Sequence, residues 1–208
     1  MKTYLVTGAA GFIGANYLKY ISTLHKDINI IVVDVLTYAG NLGTIEEELK
    51  DSRIKFEKVD IRDREGIERI FTENNVDYVV NFAAESHVDR SIENPQIFLE
   101  NDVFGTQNLV ENAKKAGTVG KDENGYPIYR EGVKYLQVST DEVYGSLSKD
   151  YEIAKDLIIE DEEVKRVVSN RTNLKTYWEK FSTEETPLDP RSPYSASKTG
   201  ADHLVVAY

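Results

Sequence analysis

Apolar residues in this chain gather in short runs of strand length, separated by longer stretches with helical spacing. Residues 4–7, 28–33, 54–59, 76–82 and 135–138 read as five strands. The fourth is apolar almost throughout, as expected of a strand covered on both faces. Between them, Ile13, Tyr17, Ile21 and Leu24 fall on one face of a first helix. Ile67, Ile70 and Phe71 mark a second helix. Phe98, Leu109, Val110 and Ala113 belong to a long one over 95–116. Regular alternation of this kind predicts an α/β fold with a doubly wound parallel sheet. Asn124-Gly125, followed by Tyr126 and Ile128, reads as an inserted hairpin or loop. Pro187, Pro190 and Pro193 punctuate a loop, and a last helix runs on to Tyr208. One interval breaks the pattern. Residues 146–182 are densely charged, with Ile153, Leu157, Ile158, Val164 and Val167 at positions that could line a helix face. A lid, a partner surface and a tolerated excursion all fit, and the last is favoured. The expected organisation is a single domain over 1–208 carrying that insertion.

The totals narrow the class. Among 208 residues, 36 acidic against 25 basic side chains give a net charge of −11, which argues against gripping a nucleic-acid backbone. There are no cysteines, so disulfides and thiolate metal sites are excluded. The N-terminus runs straight into a strand and a glycine turn, unlike a signal peptide. No apolar run approaches the roughly 20 residues of a membrane span. A soluble, cytoplasmic protein is expected.

Candidate chemistry sits where the strands end. Gly8, Gly11 and Gly14 lie between the first strand and the first helix. Such a turn lets backbone approach a pyrophosphate, and the helix N-terminus adds amide donors and a positive dipole end. Asp34 ends the second strand about 20 residues later, where a carboxylate binds the adenosine ribose diol. No arginine stands beside it to hold a 2′-phosphate, so NAD is expected rather than NADP. Asp60 ends the third strand and suits either an adenine contact or a helix-capping loop. Ala83 and Ala84 end the fourth, small enough to admit a flat ligand, with Ser86 and His87 beyond them. His87 alone is more readily structural than catalytic. Thr140, Asp141 and Glu142 follow the fifth strand. Two adjacent carboxylates there can serve as acid and base if their surroundings separate them. Tyr194 and Lys198, four apart, share a helix face. A lysine held near a phenol favours the phenolate and makes tyrosine a usable base.

These motifs resemble the extended short-chain dehydrogenase/reductases and, more narrowly, the nucleotide-sugar 4,6-dehydratases. The stretches that carry the resemblance are TGAAGFIG, LTYAGN, NFAAESHVDRSI, VSTDEVYG, TEETPLDP and SPYSASKTGADHLVVAY, spread from Thr7 to Tyr208. The acidic pair after Thr140 is the specific part, since related epimerases lack it. The resemblance implies a Rossmann-like fold, NAD as a tightly held cofactor, and a nucleotide-sugar substrate. That substrate would be dTDP-glucose, although a plant-type UDP-glucose dehydratase shares the triplet. It adds Phe12, Ile13, Leu36, Thr37, Ile61, Ser86 and Asn101 to the cofactor residues, and places Ser86 also, with Thr140, towards substrate. Tyr194 and Lys198 would touch both. It implies elimination of water: Tyr194 as the first base, Glu142 removing the carbon-5 proton, Asp141 protonating the departing hydroxyl. A homodimer through the long helix and the last helix is also implied. Four departures from the family pattern stand out, one of them the 146–182 excursion, which is longer than the family leads one to expect. Ala9 replaces a glycine of the turn. Asp102 replaces an asparagine, which bears on a proton relay or backbone contact. The chain stops at Tyr208, before the residues that in the family complete a C-terminal substrate domain, so that domain is expected to be absent. A non-catalytic NAD-binding or dimerisation module is therefore the alternative.

Overall fold

The computed structural model describes residues 1–146, 182 and 185–208. Its strands are β1 (Lys2–Thr7), β2 (Ile28–Val33), β3 (Ile54–Glu57), β4 (Tyr78–Asn81), β5 (Thr118–Lys121), β6 (Pro127–Tyr129) and β7 (Lys134–Gln137). The helices are α1 (Phe12–Leu24), α2 (Arg64–Glu73), α3 (Val88–Glu93), α4 (Pro95–Phe98), α5 (Thr106–Gly117) and α6 (Pro193–Ala207). Five strands form one sheet in the order β3-β2-β1-β4-β7, all of its pairs parallel. β5 and β6 make the separate antiparallel hairpin expected around Gly125, whose φ is +85°. Strand order reverses beside β1, and ligands of open α/β sheets bind outside the strand ends at such a switch point.

Period-two alternation divides the core in two. Leu5, Ile31, Val33 and Val79 face one way and pack with Ile67, Ile70 and Phe71 of α2 and Leu109 and Ala113 of α5. Val6, Ile30 and Val32 face the other way, against Ala15, Leu18 and Ile21 of α1. Each fully buried Leu or Ile contributes about 1.5–3 kcal/mol relative to exposure. The α1 face differs from expectation: Ile13 is 62% exposed and Leu24 is also exposed. Ile21 is buried as expected and Tyr17 is half-buried against the core, but Gly14, Ala15, Leu18 and Ser22 make up the rest of the buried face. Small residues let the start of α1 approach the glycine turn closely, which larger side chains would prevent.

Caps fix the helix starts. Asp63 accepts the Gly66 amide at 3.1 Å and begins α2. Ser192 caps α6 by accepting the Ser195 amide, Ser195 reciprocates, and Pro193 occupies the first turn. The long helix expected over 95–116 is three segments, α4 and α5 being joined by a π-helical turn, Leu99–Gly105. Strand ends are pinned by a polar row. Thr7 Oγ1 bonds Asn81 Oδ1, and Asn81 Nδ2 donates to Gln137 Oε1 at 2.9 Å.

The sheet belongs to a compact unit comprising Met1–Thr140 and Ser192–Tyr208; Asp141–Arg191 form a second. Within the second, Asp141–Tyr144 make a 3-10 turn, and the Gly145 amide bonds Glu142 O at 3.0 Å. The expected excursion at 146–182 lies almost wholly outside the described residues. No helix among the described residues is long and apolar enough to cross a membrane.

Candidate active site

The loops after β1, β2, β3, β4 and β7 all contribute to one cleft of about 380 Å³. Gly8 leaves β1 at φ +66°, and its amide bonds Val33 O at 2.8 Å. A side chain here would meet Ala83 N at 2.6 Å, so glycine alone lets the ends of β1 and β4 stay together. At Gly14 a Cβ would lie 2.3 Å from Gly8 O. The turn thus delivers α1 end-on to the cleft, whose wall includes Gly8, Gly11, Phe12, Ile13 and Gly14. This end of α1 has no side-chain cap and no acidic residue in its first turn. Its amide donors and dipole suit a pyrophosphate.

Asp34 is buried at the end of β2. Oδ2 accepts the Ala10 amide at 3.0 Å and Oδ1 the Leu36 amide at 2.8 Å. Each oxygen keeps a lone pair for a ribose hydroxyl. The bond to Leu36 holds that residue at φ +59°, a conformation leucine rarely takes. Leu36 itself does not line the cleft; it packs beside the α1 core, while Thr37 and Gly40 reach the wall. Asp60 and Ile61 line the cleft beyond β3. Arg62 grips the Asp60 carboxylate from 2.6 Å. Burial pushes the Asp60 carboxyl up, but the Arg62 bonds and charge outweigh it and hold the group below its usual range. Asp63, not Asp60, caps the helix.

Ala83, Ala84, Glu85 and Ser86 form the cleft wall after β4, with Asn101 from the π-helical turn and Val138 after β7. His87 caps α3, its Nδ1 facing the Arg90 amide at 3.5 Å. Tyr194 and Lys198 are buried on α6, Lys198 only 3% exposed. Neither is on the cleft wall itself, but the Lys198 ammonium donates to Val138 O at 2.6 Å. Burial drives the Lys198 pKa down, opposed by the negative charges of Asp102 and Asp202. The Tyr194 ring meets Phe98 edge-on at 6.2 Å. Thr140 closes the first unit, half-buried, and Asp141 and Glu142 follow as exposed residues of the 3-10 turn.

Glu85 escaped the motif reading, and Asp102, noted there as a departure from the family pattern, has partners that reading did not name. Glu85 is buried, and its amide donates to Asp102 Oδ1 at 2.9 Å. Asp102 also accepts the Ser197 hydroxyl on Oδ2 at 2.7 Å. These partners lie 17 and 95 residues away, so spacing gives no sign of them.

A deep cleft at the switch point, a free helix N-terminus and a ribose-ready carboxylate fit a dinucleotide. Comparison with known proteins agrees with that architecture. The dTDP-glucose 4,6-dehydratase of Escherichia coli is 40% identical over 205 residues, covering 98% of this chain and 49% of the relative. A solved dTDP-glucose 4,6-dehydratase from Bacillus anthracis, in complex with NAD, superposes with a TM-score of 0.71 at 35% identity, covering 100% of this chain and 50% of that one. The Streptomyces venezuelae enzyme of the same name, also with NAD bound, gives 0.73 at 36% identity, with 99% and 51% covered. The chain therefore spans about half the length of the relatives it matches. The family model described as GDP-mannose 4,6 dehydratase matches residues 5–156, most of the strands and the turn that build the cleft, and the chain belongs to that family.

Proposed function

We propose that this chain is the NAD-binding half of a nucleotide-sugar 4,6-dehydratase acting on dTDP-glucose. The cleft carries the reading: an uncapped α1 N-terminus faces Asp34 across a turn that admits backbone only. Gly8, Gly11 and the first residues of α1 would hold the pyrophosphate and Asp34 the adenosine ribose. Asp60 and Ile61 would flank adenine, while Ala83 and Ala84 leave room for a flat ring. A nicotinamide bound there would supply hydride acceptance from carbon 4 of the sugar and hydride donation to carbon 6.

The chain's own groups then divide the proton work. Tyr194 takes the proton of the sugar 4-hydroxyl, with Thr140 hydrogen-bonded to the same oxygen. Lys198 stabilises the phenolate by its charge. A ketone at carbon 4 acidifies the proton on carbon 5, which Glu142 removes. Asp141 protonates the 6-hydroxyl as it departs as water. Ser86 contacts the sugar. Asp34 would repel a 2′-phosphate, so NAD should bind at least about tenfold tighter than NADP, a difference of about 1.4 kcal/mol. Titration of both into the apo chain tests this, and equal or tighter NADP binding overturns the cofactor reading.

The half-length match favours a second reading, in which the chain binds NAD and pairs with a copy of itself without turning over substrate. Phe104, in the π-helical turn, is 63% exposed and Val206, on α6, is 87% exposed, with Leu99 also open to solvent. Apolar surface of this kind suits an interface. A homodimer is the expected state, and sedimentation of a monomer at micromolar concentration would contradict it.

A further inference from the structure

Asp102 is a buried carboxylate, 1% exposed, that no step above uses. It occupies the π-helical turn, a rare geometry frequent at functional sites. One oxygen holds the amide of Glu85, on the cleft wall, and the other holds Ser197, the neighbour of Lys198. Lys198 needs a compensating charge. Among the described residues its ammonium makes no ion pair within 4.0 Å; its hydrogen bond goes to the Val138 carbonyl. The charges acting on it are Asp102, from the π-helical turn, and Asp202, from α6 itself. Those acting on Asp102 are Lys198 and Glu85.

We propose that Asp102 is a positioning residue for the Tyr194/Lys198 pair: its carboxylate keeps the buried Lys198 charged and ties α6 to the loop that walls the cofactor cleft. This rests on the reading of Lys198 as a cofactor-side cation. Burial moves the two groups in opposite directions, raising the Asp102 carboxyl to about 6 and lowering the Lys198 ammonium; Asp102 is the largest opposing influence on Lys198, while Asp102 is itself relieved first by the Ser197 hydrogen bond and then by the Lys198 charge. The hydrogen bonds themselves do not require the charge. Ser197 has one hydroxyl proton and two acceptors at 2.7 Å, Asp102 Oδ2 and Tyr194 O. In Asp102→Asn, the new amide donates to Ser197 Oγ, Ser197 donates to Tyr194 O, and Oδ1 still accepts from Glu85. Every present partner of Asp102 keeps its hydrogen bond while the charge is lost; the second amide N–H of the new side chain is left without a named acceptor, a cost that does not vary with pH.

The test is a pH series on the 208-residue chain. NAD affinity should fall at alkaline pH as Lys198 loses its proton, and Lys198→Met should lack that fall. In Asp102→Asn the midpoint should move down by about one pH unit, the effect of removing a close opposite charge. Ser197→Ala, which breaks the tie but keeps the charge, should weaken binding with the midpoint in place. A second readout needs no cofactor. Because the folded-state pKa of Lys198 is depressed, the protein carries a penalty at low pH that is relieved as pH rises from that pKa to the unfolded value near 10.4. In Asp102→Asn the relief should begin about one pH unit lower in unfolding experiments. Asp102→Ser, smaller and also neutral, should reproduce the shift if the asparagine variant does not fold. An unchanged midpoint in the neutral variants overturns the proposal, as does a loss of affinity that is uniform with pH. Failure of the parent chain to bind NAD would instead remove the cofactor reading, and the unfolding series would still decide the role of Asp102.

Discussion

Gly8→Ala is expected to cost the fold about 2–5 kcal/mol and to weaken NAD binding at least about 100-fold. The first part is conformational, since φ is +66° and an L side chain there costs about 1–2 kcal/mol. The second is steric. The added methyl would sit 2.6 Å from Ala83 N and 2.8 Å from the carbonyl carbon of Phe82, both backbone atoms. Relief requires β1 and β4 to part at the cleft, at about 1–3 kcal/mol for overpacking of this kind. The amides proposed for the pyrophosphate move with β1, and losing one or two charge-assisted hydrogen bonds at about 1.5–3 kcal/mol each lowers affinity about 100-fold. Gly11→Ala is the control. Its methyl would meet only Gly8 O, at 3.2 Å, so a much smaller change is expected. Urea unfolding and NAD calorimetry on both variants check this; parental binding by Gly8→Ala would contradict the placement of the cofactor.

The 208-residue chain alone is expected to convert dTDP-glucose at least about 100-fold more slowly than the Escherichia coli relative. Thr140, Asp141, Glu142, Tyr194 and Lys198 are all in this chain, but the chain matches only 49% of that relative's length. By the resemblance, the residues that grip the nucleotide lie in the other half. Binding energy remote from the reacting carbon orders the sugar, and its loss lowers turnover as well as affinity. Residual conversion should vanish in Glu142→Gln while a transient NADH absorbance remains, since that variant keeps the first base and loses the second. Full-rate conversion by the isolated chain would overturn this expectation and turn attention to the excursion at 146–182, read from the sequence as a tolerated insertion.

Much of the sheet was legible because buried parallel strands announce themselves. The Leu5/Val6 alternation and the Ile30–Val33 run specify two covered faces with no knowledge of partners. Gly8, Gly14, Asp34 and Asp60 could be set on the cleft because strand ends are readable and the cleft lies where strands end. The misplacement of Ile13 and Leu24 on α1 has a physical cause. Helical spacing marks large apolar residues, whereas the face that meets the turn is chosen by smallness, at Gly14 and Ala15. The Asp60 loop was ambiguous because one residue, Asp63, three positions on, competes for the cap. The ties through Asp102 were illegible, since they depend on how helices far apart in sequence pack. Its identity stood out only against the family pattern.

The strand order also governs how the protein comes into being. β1 is made first yet lies at the centre, with β2 and β3 filling one flank before the chain crosses over to β4 and β7. Its partner on the other side, Tyr78–Asn81, leaves the ribosome only after some seventy further residues, roughly 4 to 14 seconds at ordinary synthesis rates. Throughout that interval the Leu5-Val6-Thr7 edge is an open template for any strand nearby. Every contact in the main sheet is non-local, so slow maturation and a need for protection of the nascent chain are built into the same crossover that creates the cleft.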